Sequence, residues 1–589
     1  MNKKAKREVP LYHKADWDSL RQDCSTFSDE YLSSNPREES VETNWTRIKT
    51  SIQNLTKLHI PHKTVGTRYN LPYMTQAIKR KIRKRQRIYR RYKKHHRKRD
   101  DAMCKALRRE INSDLKSAYS DHINKLFDTE EDKPGAMKRF YRFLKSLRRD
   151  ACGVSPLKSG GRIFATSKEK ADACNRQFHG AFSGGSNDEL PEPAGTALPA
   201  MPDIVVTEPG VRKLLAGLNA SKASGPDNIA ARVLKECADA LAPVLSDFYQ
   251  QTLDDGEVPQ DWKQQRVNPI FKKGSRTDPA NYRPVALTSI LCKTMEHIIA
   301  SQLHTHLDRH GYICDNQHGF RRCRSCETQL FSTTQDFINA IEEGNRIDAI
   351  VLDFSKAFDK VDHERLLVKL QHCGVSGNLL SWVESWLVGR KQRVVVDGAE
   401  SEECDVASGV PQGSVLGPLF FIIFINDITH GLHSNIRLFA DDALLYQTIN
   451  DEDDCLKLQE DIDSLVAWAD RWCMEFNAKK CNTIHIMSKH LKRTAVCVPY
   501  TMKGEILERV TDCKYLGVTI NEHMNWRPHI DNIVGQAHSK LAFLERNLST
   551  CPQDLKDRAY KTLVRPAVEY ASAIWDKTNN HDIFRLDTF

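Results

Sequence analysis

Eleven residues constrain this chain more than any other stretch. Ile436-Arg437-Leu438-Phe439-Ala440-Asp441-Asp442-Ala443-Leu444-Leu445-Tyr446 runs apolar, then acid-acid, then apolar. No room is left for a long loop, so the pattern predicts a hairpin with Asp441 and Asp442 at its tip. A second segment, Ala349-Ile350-Val351-Leu352-Asp353, is apolar, rich in β-branching and ends in an acid, which predicts a buried strand. Side by side in one sheet, the two elements would bring three carboxylates together. Adjacent carboxylates against apolar walls repel, and a divalent cation relieves the cost. Hard oxygen ligands suit Mg²⁺. Three acids suffice for two ions roughly 3.5–4 Å apart, which activate an attacking hydroxyl and stabilise a leaving phosphate. Alone, an Asp-Asp pair is also an ordinary polar turn; the other segments overturn that reading.

The 589 residues can fill several cores, and 40% hydrophobic with 28% charged composition predicts a chain that mostly folds. The 17 cysteines are scattered, and Met1 to Pro10 is basic and polar rather than a secretory signal. Both point to a reduced intracellular protein, nuclear or cytoplasmic, rather than a disulfide scaffold. The longest apolar run, Leu419 to Ile425, is far short of the roughly 20 residues of a bilayer span. It predicts a buried strand or helix and no membrane partner.

The net charge of +10 is concentrated: Lys79 to Arg99 holds 14 Lys or Arg in 21 residues and no acid. With Tyr89 and Tyr92 interleaved, this block suits a phosphate backbone, where each neutralised phosphate releases a counterion. The candidate contacts are Lys79, Arg80, Lys81, Arg83, Lys84, Arg85, Arg87, Arg90, Arg91, Lys93 and Lys94. A nuclear-localisation signal or a solvated basic helix has the same composition.

Residues 40–128 read as helical, with Trp45, Ile48, Ile52 and Leu55 at helical spacing until Pro61. Residues 150–204, rich in Gly, Ser and Pro, read as a partly flexible linker. Helices are predicted over 229–255 and 288–309, and a short strand over 266–271. Strand and helix patterns then alternate to about residue 520, and 530–575 reads as helical. Asp362, before a Leu-rich run, reads as a helix N-cap and Asp359 as structural. Cys314, His318, Cys323 and Cys326 make only a weak zinc signal. His304, His306 and His310 read as surface residues of a helix.

Phe439-Ala440-Asp441-Asp442 resembles the Asp-Asp box of reverse transcriptases, and Asp353-Phe354-Ser355-Lys356-Ala357-Phe358-Asp359 resembles their first palm motif. Ser408-Gly409-Val410-Pro411-Gln412-Gly413-Ser414-Val415-Leu416-Gly417-Pro418 is similar to the segment between them, in the family's order. With Asn281-Tyr282-Arg283-Pro284-Val285, Gln317-His318-Gly319-Phe320-Arg321 and Tyr515-Leu516-Gly517-Val518, the set resembles the non-LTR, jockey-like retrotransposon reverse transcriptases.

The resemblance implies an α+β right-hand polymerase: a basic helical region over 1–149, the linker over 150–204, and an N-terminal extension with fingers over 205–345. A palm over 346–525 and a partial helical thumb over 526–589 complete it. It implies RNA-directed DNA polymerisation with an RNA template, a DNA primer, dNTPs and two Mg²⁺ ions, for which Mn²⁺ could substitute; oligomeric state stays open. Asp353, Asp441, Asp442 and the Phe354 carbonyl would hold metal, and Phe358 would exclude a ribose 2′-hydroxyl. Gln412 and Gly413 would lie near nucleotide and template, while Arg283 and Lys272 would bind the triphosphate. Lys480 would be the general acid, with Lys479 an equal rival, and Tyr515, Leu516 and Gly517 would grip the primer.

Two ends depart from the family. No stretch before the basic block resembles an endonuclease, and the residues from Asp582 to Phe589 leave the thumb pattern. The expectation is a shortened copy with its catalytic residues kept. The alternatives are a nucleic-acid-binding remnant without catalysis and an intron-maturase-like protein.

Overall fold

Among the described residues, parallel and antiparallel pairings build two five-stranded sheets in the middle of the chain. The computed structural model describes residues 7–65, 71, 73–127, 141, 143–144, 153–183, 189–489, 499–549 and 551–575. The strands that position the site are β1 (Gln264–Phe271), β2 (Tyr282–Leu287), β3 (Arg346–Asp353), β4 (Lys391–Val396), β5 (Asn435–Phe439), β6 (Asp442–Ile449), β7 (Asn482–Ile486), β8 (Asp512–Tyr515) and β9 (Val518–Asn521).

In one sheet the order is β5, β6, β3, β7 and then Glu508–Arg509. β6 runs antiparallel to β3, with Ile449 opposite Arg346 at one end and Asp442 opposite Asp353 at the other. Both central strands are apolar runs rather than alternations, because residues of either parity are buried: Ala349, Ile350 and Leu352 in β3, Ala443, Leu444 and Leu445 in β6. The apolar run of the sequence becomes the helix Leu416–Phe424, buried along almost its whole length. Each such Leu or Phe contributes about 1.5–3 kcal/mol. The buried Glu296 carboxylate caps this helix, accepting from Val415 N at 2.6 Å and Leu416 N at 3.3 Å. Near the start of β3, buried Asp348 meets His485 Nδ1 at 2.6 Å, Tyr500 Oη at 2.7 Å and Arg346 Nη2 at 2.9 Å.

The other sheet has the order Cys404–Asp405, β4, β1, β2. β1 pairs parallel to β4 and antiparallel to β2, with Ile270 opposite Arg283. The helix Ser167–His179 covers it, placing Ala171, Cys174 and Phe178 with Val267, Tyr282, Val394 and Val396. Over 157–179, inside the segment expected as a linker over 150–204, the chain is regular strand and helix. Gly160 and Gly161, both at positive φ, form a tight turn between strands Leu157–Ser159 and Arg162–Phe164. A Thr166–Glu169 capping box then starts the helix. The glycine-serine run at 184–186 and the departing segment 582–589 lie outside the described residues.

The chain divides into two compact units, one of 8–64 with 152–526 and the other of 1–7 with 65–151 and 527–589. The basic region expected as one piece over 1–149 is thus split. Its first part, helices Trp17–Ser33 and Val41–His59, joins the sheet-bearing unit, where the Trp45 ring meets Trp262 edge-on at 5.5 Å. The second part, helices Gln76–His95 and Lys98–Phe127, belongs with Arg527–Leu548 and Gln553–Leu563. Ile123, Leu544, Leu548, Leu555 and Ala559 share that unit's core. Among the described residues no helix is long and apolar enough to cross a membrane.

Candidate active site

β5 and β6 are joined by Ala440 and Asp441 alone, with Phe439 opposite Asp442. Ala440 takes φ 55, a turn conformation that glycine usually supplies. Such a residue costs about 1–3 kcal/mol unless its surroundings compel it. Gln317 compels it: its Oε1 accepts from Ala440 N at 2.9 Å and Gly319 N at 2.7 Å. His318 N donates to Leu438 O, and Leu438 N to Asn316 O, both at 2.9 Å. At about 1 kcal/mol each, these bonds offset the strain. A Cβ on Gly319 would lie 2.4 Å from Ala440 N, so the close approach requires glycine. Sequence reasoning saw Gln317-His318-Gly319 as a motif and missed its task, which is to brace the acidic tip.

Asp353 ends β3 beside that tip. Its backbone N–H reaches Cys481 Sγ at 3.4 Å and its carbonyl accepts from Asn477 N at 2.8 Å, while Ser355 N donates to Glu475 O at 2.8 Å. Backbone groups alternate sides along an extended strand. The Phe354 carbonyl therefore turns the opposite way, toward the β6 side, while its ring stacks on Phe476 at 4.3 Å. Lys480 Nζ lies 3.1 Å from Asp353 Oδ2.

Asp441 and Asp442 reach solvent at the tip, yet both carboxyls are held above their ordinary value. Burial by the surrounding protein is the largest cause for both; the charge of Asp353 adds to it at Asp441, and those of Asp441 and Asp353 add to it at Asp442. Lys272 and Arg283, at the β1–β2 end, pull both back down, which places their charges at the same site. The Lys272 ammonium is held below its usual value, first by burial and then by Arg283.

Among the described residues no three His, Cys, Asp or Glu side chains stand together as a ready metal cluster. Asp353 instead faces Lys480, which answers like-charge repulsion with a counter-ion. The donors themselves fit a hard cation. They are carboxylates and a carbonyl, and Mg²⁺ is usually held by one or two carboxylates with water and phosphate completing its shell.

Other expected residues surround this point. Phe358 is half-buried, its ring stacked on Phe421 at 4.3 Å. Gln412 O accepts from Ala286 N of β2 at 2.8 Å, and Gln412 Nε2 donates to Asp359 Oδ1 at 2.9 Å. Burial pushes the Asp359 carboxyl up to about 6. Gly413, at φ 126, would place a Cβ 2.6 Å from Ala286 O. Tyr515 is buried and its hydroxyl accepts from Gln329 Nε2 at 3.1 Å. Burial raises that hydroxyl, with Asp442's charge adding to it, so Tyr515 stands near the tip. Leu516 and Gly517, both at positive φ, turn β8 into β9.

Asp362 does cap its helix, accepting from Arg365 N at 3.0 Å. His306 is not on the surface: it is buried and donates to Cys373 O at 3.1 Å, because its face of the helix packs inward. His318 Nδ1 meets Thr328 Oγ1 at 2.9 Å. The basic block forms the helix Gln76–His95 of the other unit, where Ile78 and Ile88 are buried and Lys81 pairs with Asp114 at 2.8 Å.

Residues 270–520 match the family described as Reverse transcriptase (RNA-dependent DNA polymerase). The chain is 26% identical over 90% of its length to a probable RNA-directed DNA polymerase from transposon BS of Drosophila melanogaster, covering 61% of that protein. It is 30% identical over 64% of its length to the RNA-directed DNA polymerase from mobile element jockey of the same species, covering 42% of it. The jockey polymerase of Drosophila funebris matches at 28% over 74% of the chain and 49% of the relative. The chain thus spans about half the length of the curated relatives it matches. The domain implies a palm-and-fingers polymerase fold, in keeping with the mixed helices and sheets around the site. Residues 270–520 thus carry a reverse transcriptase domain, and the chain around it is similar to RNA-directed DNA polymerases of non-LTR retrotransposons.

Proposed function

We propose that this chain is an RNA-directed DNA polymerase that adds dNTPs to a primer 3′-hydroxyl on an RNA template. The observation that carries the reading is the placement of Asp442 opposite Asp353, with Asp441 at the adjoining tip. Asp353, Asp441, Asp442 and the Phe354 carbonyl would hold Mg²⁺, or Mn²⁺ in its place. Bound there, the ions supply an activated hydroxyl and neutralise charge on the leaving pyrophosphate. Arg283 offers a bidentate fork to the triphosphate and Lys272 a second cation. Lys480 donates a proton from Nζ to the leaving group, and its closeness to Asp353 favours it over Lys479. Phe358 excludes a 2′-hydroxyl, while Gln412 and Gly413 flank nucleotide and template. The Tyr515-Leu516-Gly517 turn grips the primer.

In the same reading, 205–345 forms the N-terminal extension and fingers and 346–525 the palm. Helices after residue 526 serve as thumb. The basic face of Gln76–His95 contacts nucleic-acid phosphates, which makes binding salt-sensitive. The test is primer extension on an RNA template with Mg²⁺. Wild type should incorporate dNTPs and the Asp441→Ala/Asp442→Ala variant should not. Equal incorporation by both sinks the site assignment. Salt-sensitive RNA binding with no incorporation by either would favour a non-catalytic binding protein.

A further inference from the structure

Phe320 stands beside the acidic tip in a conformation its residue type rarely adopts. Its φ is 57, in the left-handed region, where a bulky side chain is an outlier and Gly or Asn would sit easily. The residue is 52% exposed. Neither backbone comfort nor core packing therefore accounts for an aromatic here, and strain of this kind gathers at functional sites.

The loop that carries it is held on both sides. Gly319 presses on the backbone of Ala440, and Arg321 Nη1 donates to Cys314 O at 2.8 Å. What the ring touches is Phe358: the two meet edge-on, with centroids 6.3 Å apart and planes at 83°. Phe358 in turn lies flat on fully buried Phe421, with planes 19° apart. Edge-to-face and offset-stacked pairs at these separations are favourable aromatic geometries. Phe358 thus has a buried aromatic floor on one face and an exposed aromatic neighbour elsewhere.

A steric gate discriminates only while it stays rigid. A ring able to swing aside admits the extra hydroxyl that it should reject. We propose that Phe320 is a positioning residue for sugar discrimination, clamping Phe358 against Phe421 so that ribonucleotides are refused. The inference rests on the reading of Phe358 as the sugar gate. The backbone strain at Phe320 is then the cost of aiming an aromatic ring at Phe358 from a loop that also braces the catalytic hairpin.

The experiment measures single-nucleotide incorporation of a dNTP and its matching rNTP on a primed RNA template. The proteins are wild type, Phe358→Ala, Phe320→Ala, Phe320→Leu, Phe320→Tyr and the Phe320→Ala/Phe358→Ala double variant. The readout is the dNTP to rNTP ratio of kcat/KM, which is independent of the fraction of enzyme that is folded. Phe320→Ala and Phe320→Leu should lower the ratio by about tenfold or more, and Phe320→Tyr should keep it. The double variant should be no more permissive than Phe358→Ala alone, as expected when two residues act as one device. If Phe358→Ala lowers the ratio and both Phe320→Ala and Phe320→Leu leave it at the wild-type value, the proposal is overturned and the gate stands. Additive effects in the double variant also overturn it. If Phe358→Ala itself leaves the ratio unchanged, the gate reading fails and takes this inference with it.

Discussion

Lys480 Nζ and Asp353 Oδ2 form an ion pair at 3.1 Å, joining the turn before β7 to the end of β3. Both side chains are largely open to solvent, so the pair adds little to stability. Its interest lies in placing one of two adjacent lysines at the acids. Lys480→Ala should therefore lower kcat for nucleotide addition by about 100-fold, the scale of a lost general acid. Lys479→Ala should stay near wild type. Pre-steady-state incorporation across pH separates the two, and equal losses would return the assignment to an open choice.

Gly319 should tolerate no side chain. Gly319→Ala sets a methyl against Ala440 N and Gln317 Oε1, neither of which can move without shifting the tip that bears Asp441. A displacement of about 1 Å at reacting groups can cost about 100-fold in rate. The expected result is a large loss of kcat with a nearly unchanged circular dichroism spectrum. A fully active Gly319→Ala enzyme would show that the brace is dispensable.

His318 supplies a pH dependence. Its imidazole is pushed down to about 4, by burial first and then by the charges of Arg324, Arg437 and Arg321. The folded pKa lies below the unfolded one, so protonation favours the unfolded chain. Its contribution is fully present above about pH 6.5 and is lost as pH falls toward about 4. The melting temperature of wild type should drop more steeply across that window than that of His318→Gln. Parallel curves for the two proteins would contradict the expectation.

Asp348 is the most exacting buried charge in the sheet. It serves Arg346, His485 and Tyr500 at once, with its side chain wholly out of solvent. Asp348→Ala removes the carboxylate facing the buried Arg346 guanidinium and should destabilise by about 3–5 kcal/mol. Chemical denaturation of the sheet-bearing unit, followed by its tryptophans, measures this. A change below about 1 kcal/mol, the scale of an exposed pair, would mean that water reaches Arg346.

The local pieces of the site were legible from the residues. An apolar run ending in Asp353 and the Asp441-Asp442 hairpin rest on neighbours in the chain, where strand periodicity is a direct signal. What brings the pieces together was not legible. The register that sets Asp442 opposite Asp353 joins segments some 90 residues apart and follows from burial on both faces of the sheet. Gln317 as the brace of Ala440 depends on one side-chain oxygen, which no spacing announces. The helix Ser167–His179 was hidden by glycines that make a turn rather than a tether. His306 looked solvated because polar neighbours on its helix masked an inward face.

The pairing of helices from the first quarter of the chain with helices near its end has a consequence for synthesis. Ile123 shares its core with Leu544, Leu548 and Leu555, and about 375 residues separate the two parts of that unit. At 5–20 residues per second, the early helices wait roughly 20–75 s for their partners. Through that interval a strongly basic helical pair stands without its apolar complement on a ribosome made largely of RNA. The sheet-bearing unit can close in the meantime, so these basic helices are among the last elements to reach their final packing.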